Sequence, residues 1–147
     1  MKILFLCVAN SARSQIAEGL AKQMFGGQVE VYSAGSKPGG KIHPGAIEVM
    51  KDIGIDISMG HPKFHEDLPQ EFLAGLNVII TLCAEEACSA LSSSKAIRLH
   101  WPVQDPVFID NKRGEGRQGF YETRDKIREK LVVFAKKEGL YPLVGVD

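Results

Sequence analysis

Net charge is the first thing this chain lacks. Its 18 lysines and arginines balance 18 aspartates and glutamates, so no basic surface for a nucleic-acid partner is expected. Long apolar runs are also missing. No stretch approaches the ~20 residues needed to span a bilayer. The apolar start, Met1 to Cys7, is too short for a signal peptide and leads to no cleavage-like site. Three cysteines in 147 residues are too few for a disulfide framework. These absences point to a cytoplasmic protein with reduced thiols and no membrane partner. No repeat or shift in composition marks a boundary, so 1–147 reads as one domain, expected to be monomeric. With 44% hydrophobic and 24% charged residues, it has enough apolar side chain for a real core.

Strands alternate with helices along the chain. Ile3 to Leu6 is a wholly apolar run, as in a parallel strand covered on both faces. Ser14 caps or opens a helix whose Ile16, Ala17, Leu20, Ala21 and Met24 share one side, and Gly26-Gly27 stops it. Val29 to Ser33 forms a second strand, followed by a loop from Ala34 to Gly40 rich in breakers. A helix over Pro44 to Ile53 ends at Gly54, and Phe72 to Leu76 forms a short one. Asn77 to Leu82 is the clearest buried strand, and Lys95 to Leu99 a fourth. A long loop from His100 to about Gly119 is expected next, then a helix from Tyr121 to Glu138 with Ile127, Leu131 and Phe134 inward. The alternation predicts an α/β fold built on a parallel sheet.

In such a sheet, ligands bind beyond the carboxyl ends of the strands. Cys7 stands at one of these ends and opens Cys7-Val8-Ala9-Asn10-Ser11-Ala12-Arg13-Ser14. Placed between a strand and a helix, the segment offers free N–H groups and the positive end of the helix dipole, which favour a thiolate and a tetrahedral oxyanion alike. Arg13 supplies a planar fork for two oxygens. Asn10 tolerates left-handed backbone, which turns N–H groups inward. Ser14 either bonds the thiolate or only caps the helix. Glu18 and Ser33 either support the loop or are solvated.

Cys83 follows the second buried strand and therefore lies at the same sheet edge; Cys88 is five residues on. If the two strands are neighbours, about 4.8 Å separates them, and their terminal cysteines approach disulfide distance. Residues five apart on an ideal helix sit about 8.7 Å apart, beyond the roughly 7 Å limit for a disulfide. A Cys83–Cys88 bond therefore requires Ala84 to Ala87 to be a loop or to unwind. Asp105, before Pro106, is either a general acid over the anion loop or a turn-starting residue. Trp101 reads as a packing residue. His61 and His65 have i,i+4 spacing, but Pro62 interrupts a helix and no further ligands match, so no metal is expected. His43 and His100 read as surface or loop residues.

Taken together, the segment from Cys7 to Ser14 with Ala17-Glu18, then Tyr32-Ser33-Ala34-Gly35, Asp56-Ile57-Ser58 and Trp101 to Pro106, resembles the low-molecular-weight protein tyrosine phosphatases and the thioredoxin-coupled arsenate reductases that share their fold. The resemblance runs from about Lys2 to Leu131. It implies a single-domain three-layer sandwich, a four-stranded parallel sheet with helices on both faces. It also implies Cys7 as nucleophile, Arg13 as oxyanion ligand and Asp105 as acid, with residues 8 to 14 as the oxyanion cradle. In a reductase, arsenate or a phosphate-like oxyanion is the substrate. Cys83 and Cys88 then carry a Cys7–Cys83 and next a Cys83–Cys88 disulfide to thioredoxin or a glutaredoxin-type reductant, with no bound cofactor. A phosphatase would instead hydrolyse a Cys7 phospho-enzyme formed from phosphotyrosine. A non-catalytic anion-binding or redox-sensing module is the third reading. The Cys83–Cys88 interval is shorter than usual for thioredoxin-coupled enzymes, and Ala12 stands where many phosphatases have a second loop cysteine.

Overall fold

The computed structural model describes residues 1–84, 91, 94–113 and 116–142. Its elements are β1 (Lys2–Cys7), α1 (Arg13–Phe25), β2 (Glu30–Gly35), α2 (Pro44–Lys51), α3 (Gln70–Ala74), β3 (Val78–Cys83), β4 (Ile97–Val103), α4 (Pro106–Arg113) and α5 (Gln118–Glu138). The four strands form one sheet in the order β2-β1-β3-β4, and every pairing is parallel. Helices lie on both faces, as the resemblance implied. Among the described residues, no helix is long and apolar enough to cross a membrane.

The two central strands are apolar because each of their faces is covered. Ile3, Phe5, Ile80 and Leu82 share a buried cluster with Ile16, Leu20 and Met24 of α1, Val49 and Met50 of α2, and Ile127, Leu131 and Phe134 of α5. Leu4, Leu6 and Ile79 belong to a smaller cluster with Leu68 and Phe72. Alternate residues of one strand thus feed opposite layers, as a pleat of period two requires.

The topology determines where a ligand fits. From β1 the chain crosses to β2 on one side; from β3 it crosses to β4 on the other. The connections diverge between β1 and β3, and such a divergence opens a crevice at the carboxyl edge of a parallel sheet. The ladder pairs Leu6 with Thr81. Cys7 therefore lies one residue beyond that pair and Cys83 two, on adjacent strands facing the crevice.

Two expectations need correction. The loop placed at His100 to Gly119 is largely structured: β4 runs on to Val103, and Pro106–Arg113 is a helix. Pro102 fits because β4 is an edge strand, where a missing N–H need not break a ladder bond. Asp105-Pro106 marks a helix start, an acidic N-cap followed by proline at the first helical position. The fourth strand also begins at Ile97, not Lys95, and Ile97 is 63% exposed at the edge. Between Thr81↔His100 and Cys83↔Val103, β4 holds one residue more than β3, a bulge of the kind that bends a strand.

Phe5 is fully buried and packs 6.5 Å, centroid to centroid, from Trp101, which in turn meets Phe134 edge-on at 5.9 Å. Trp101 is thus a packing residue, as expected from sequence. Phe5→Ala should lower unfolding free energy by about 3–5 kcal/mol in urea titrations, the usual loss for a large buried ring.

Candidate active site

Between β1 and α1 the chain makes a tight loop whose polarity is sorted by direction. Every carbonyl from Cys7 to Ala12 accepts a hydrogen bond from outside: Cys7 from Ser36 N, Val8 from Lys37 N, Ala9 from Gly39 N and Ser11 from His43 N; Ala12 accepts from Ile16 N within the α1 turn. The Asn10 carbonyl accepts from Gln15 Nε2 at 3.2 Å. With the carbonyls turned outward, the N–H groups are left to converge. Those of Ala9, Ser11 and Ala12 meet no acceptor among the described residues. Helix α1 begins just beyond, with Ala12 at the N-cap, no side-chain cap and no acidic residue in its first turn. Its dipole is therefore directed at whatever the loop encloses, the arrangement that binds oxyanions.

Asn10 holds this shape. It has φ of 52° and is fully buried, a left-handed conformation that an asparagine can adopt when its side chain is bonded locally. Its Nδ2 donates to Ser14 Oγ at 2.6 Å and to Ser33 Oγ at 3.0 Å. Its Oδ1 accepts from Gln15 Nε2 at 3.3 Å and from Lys63 N at 3.1 Å. Lys63 N can only donate, so the orientation of the Asn10 carboxamide is determined. The direction then propagates. Ser14 Oγ accepts from Asn10, which leaves its own proton for Cys7 Sγ, 2.8 Å away. Asn10 N also donates to that sulfur at 3.2 Å. Two donors converge on Cys7, contacts that a thiolate uses better than a thiol. Likewise Ser33 accepts from Asn10 and donates to Glu18 Oε1 at 2.7 Å. The supporting roles left open for Ser14, Ser33 and Glu18 are thus occupied.

Arg13 is 4% exposed and donates from Nη1 to the Val103 carbonyl at 3.0 Å, tying the start of α1 to the end of β4. Two residues on, Asp105 serves as the cap of α4: Oδ1 accepts from Val107 N at 3.0 Å. Its other carboxylate oxygen has no hydrogen bond among the described residues. Asp105 lines a cleft of 360 Å³ with Ala84, Gln104 and Phe108. Asp105 thus starts α4, as the turn-starting reading expected, and also lines this cleft. Cys83 is buried at the end of β3, in the same apolar cluster as Cys7. Cys88 and the segment between 85 and 90 lie outside the described residues. Among the described residues, no cluster of His, Cys, Asp and Glu is arranged to hold a metal ion.

Several site residues escaped the sequence reading. Gln15 drew no reading from the sequence, yet its Nε2 bonds the loop at Asn10. Lys63 and His61 come from a segment with no regular structure, yet Lys63 accepts from Gly35 N at 2.9 Å and His61 O accepts from Gln15 Nε2 at 3.2 Å. His100 belongs to β4 rather than a loop, with Nδ1 2.6 Å from Thr81 Oγ1. His43 is not a bystander either. Its N–H holds Ser11, its Nδ1 accepts from Gly45 N at 2.9 Å to cap α2, and its ring stacks on Phe120 at 4.7 Å.

Gly35 permits the loop to lie against β2. A Cβ there would come 2.5 Å from Val8 O and 3.0 Å from Asn10 N. Gly35→Ala is expected to cost about 1–3 kcal/mol of stability and to weaken phosphate protection of Cys7 against alkylation. Gly40→Ala, whose Cβ meets nothing within 4 Å, should leave both unchanged.

Burial, reinforced by Arg117, pushes His43 below the 6.5 of an ordinary imidazole, while Asp105 and Asp110 oppose the shift. Between the folded and unfolded midpoints, the unfolded chain binds more protons. The His43 contribution is therefore full above about pH 6.5 and declines as pH falls toward the folded midpoint. Histidine NMR titration should place His43 below 6.5, and His43→Gln should flatten the decline in urea midpoints across that window.

Comparison with known proteins agrees with this geometry. The sequence profile of the family described as low molecular weight phosphotyrosine protein phosphatase matches residues 2–139. An arsenate reductase of Halalkalibacterium halodurans is 39% identical over 136 residues, 91% of this chain and 94% of that protein. One of Bacillus subtilis strain 168 is 36% identical over 135 residues, with the same coverage. The solved structure of an arsenate reductase in the phosphate binding state matches with a TM-score of 0.75 at 30% identity, covering 92% of this chain and 97% of that one. With the profile spanning almost the full sequence and the loop, sheet order and helix layers in place, this chain belongs to the low molecular weight phosphotyrosine protein phosphatase family.

Proposed function

We propose that this protein is an arsenate reductase that works through thiol chemistry at Cys7. The observation that carries the reading is the pairing of an anion-directed loop around Cys7 with a second cysteine, Cys83, at the end of the neighbouring strand. A phosphatase needs the first feature only. The relatives described above as arsenate reductases support the same choice.

In the proposed cycle, arsenate lies against the loop amides and the Arg13 guanidinium. Cys7 thiolate forms a sulfur–arsenic bond, and an arsenic-bound oxygen departs as water, protonated by Asp105. Cys83 thiolate then attacks Cys7 Sγ. The sulfur–arsenic bond breaks, its electron pair stays with arsenic, and arsenite leaves. Two thiols have become one disulfide, and arsenic has fallen from the +5 to the +3 state. Cys88 attacks Cys83, releasing Cys7 as a thiolate and passing the disulfide to a position that thioredoxin or a glutaredoxin-type donor reduces. The return of all three cysteines to thiols at the end of each cycle suits a cytoplasmic setting. Tetrahedral phosphate should compete for the loop.

The test is arsenate-dependent oxidation of a thioredoxin system by wild type, Cys7→Ser, Cys83→Ser and Cys88→Ser. Cys7→Ser should be inactive, and the other two should stop before a second turnover. Multiple-turnover arsenate reduction at the wild-type rate by Cys83→Ser would defeat the relay. Brisk aryl phosphate hydrolysis without arsenate reduction would instead establish a phosphatase.

A further inference from the structure

Gln15 occupies the third position of α1 and is 4% exposed. Its Nε2 sits among three oxygens: the Asn10 carbonyl at 3.2 Å, Asn10 Oδ1 at 3.3 Å and the His61 carbonyl at 3.2 Å. Reversing the carboxamide would set Oε1 against all three, so the donor assignment is secure. At this helix position a glutamine usually accepts a bond from the N-cap amide. Here it donates instead, to the carbonyl two residues before the cap.

We propose that Gln15 is a positioning residue for the anion loop: it locks the Asn10–Ser11 peptide with its carbonyl outward and its N–H inward, and fastens that peptide to the strap at His61–Lys63. The oxygen and the N–H of one peptide point in opposite directions. Holding Asn10 O against Gln15 therefore aims Ser11 N–H into the loop. Without the donor, the buried Asn10 carbonyl is left unpaired. Rotation of that peptide would relieve it and turn an oxygen toward the bound anion. The strap matters because it closes the arrangement: Lys63 N bonds Asn10 Oδ1 and Lys63 O accepts from Gly35 N. A single side chain thereby joins α1, the loop and the strap. The proposal rests on the oxyanion-binding half of the function proposed above and is independent of the disulfide relay.

The experiment uses the full chain and inorganic phosphate. Affinity is measured by calorimetry and by protection of Cys7 from iodoacetamide in wild type, Gln15→Met, Gln15→Glu and Ile127→Val. Gln15→Met keeps the bulk and removes the donor, and its phosphate dissociation constant should rise about tenfold, the usual scale for orphaning one buried acceptor. Gln15→Glu keeps the shape and replaces the donor by an acceptor, so it should lose more than Gln15→Met. Ile127→Val, a core change remote from the loop, should lose stability and leave phosphate binding unchanged. A purely space-filling role predicts the reverse order for the two Gln15 variants. Phosphate binding by Gln15→Met within about twofold of wild type would overturn the proposal.

Should Gln15→Met fail to fold, the wild-type side chain supplies the answer by NMR. Slowly exchanging, well-separated Nε2 protons that shift with phosphate, together with the Ser11 amide, are expected. Rapidly exchanging protons insensitive to phosphate would overturn the role. Arsenate reduction is followed in parallel. Wild type that binds phosphate without reducing arsenate defeats the reductase reading alone; Gln15→Met that matches wild type in phosphate binding defeats only the role of Gln15.

Discussion

The site depends on one constraint: the carboxamide of Asn10 has all four of its hydrogen-bonding positions filled, inside the protein, by groups from α1, β2 and the strap at Lys63. A left-handed, fully buried asparagine is unfavourable by itself. Complete pairing offsets that cost. From this residue the direction of the whole network follows. Because Lys63 N must donate, Asn10 Nδ2 must donate, Ser14 must give its proton to Cys7, and the sulfur receives. The donors at that sulfur are the backbone N–H of Asn10 and the hydroxyl of Ser14.

Packing sets the stage on which that network operates. The apolar central strands bring Cys7 and Cys83 to one edge, where the diverging connections leave a crevice. The one-residue stagger between them follows from the ladder, whose register is enforced by burial on both faces. Arg13 then spans the crevice from the start of α1 to the carbonyl of Val103, so the end of β4, with Asp105 just beyond, is tied to the anion loop through a charged donor.

Much of this was legible in the residues. The apolar run before Cys7, the helical spacing after Ser14 and the left-handed tolerance of Asn10 are local signals, and each describes what the chain does locally. Cys83 was legible for the same reason, at the end of an apolar strand. Helix α4 was missed because Asp-Pro opens turns and helices alike, and only the contacts of α4 with its neighbours decide between them. Strand β4 was ended at Leu99, short of Pro102, a proline whose acceptance depends on the strand being at an edge. Gln15, His43 and Lys63 left no pattern of their own because each has a partner far along the chain: His61 for Gln15, Ser11 and Phe120 for His43, Asn10 and Gly35 for Lys63. The lone local hint was a glutamine at the third position of a helix with no side-chain cap.

The outward carbonyls of the loop carry a broader implication. Four of the donors that receive them, on Ser36, Lys37, Gly39 and His43, come from the connection between β2 and α2. That connection acts as a mould, and the loop is its cast. Transplanting Cys7 to Ser14 alone into another strand–helix junction would carry over the reactive side chains but not the shape that makes them work together. The heritable unit of this chemistry is the pair of segments, and drift in either one is answerable to the other.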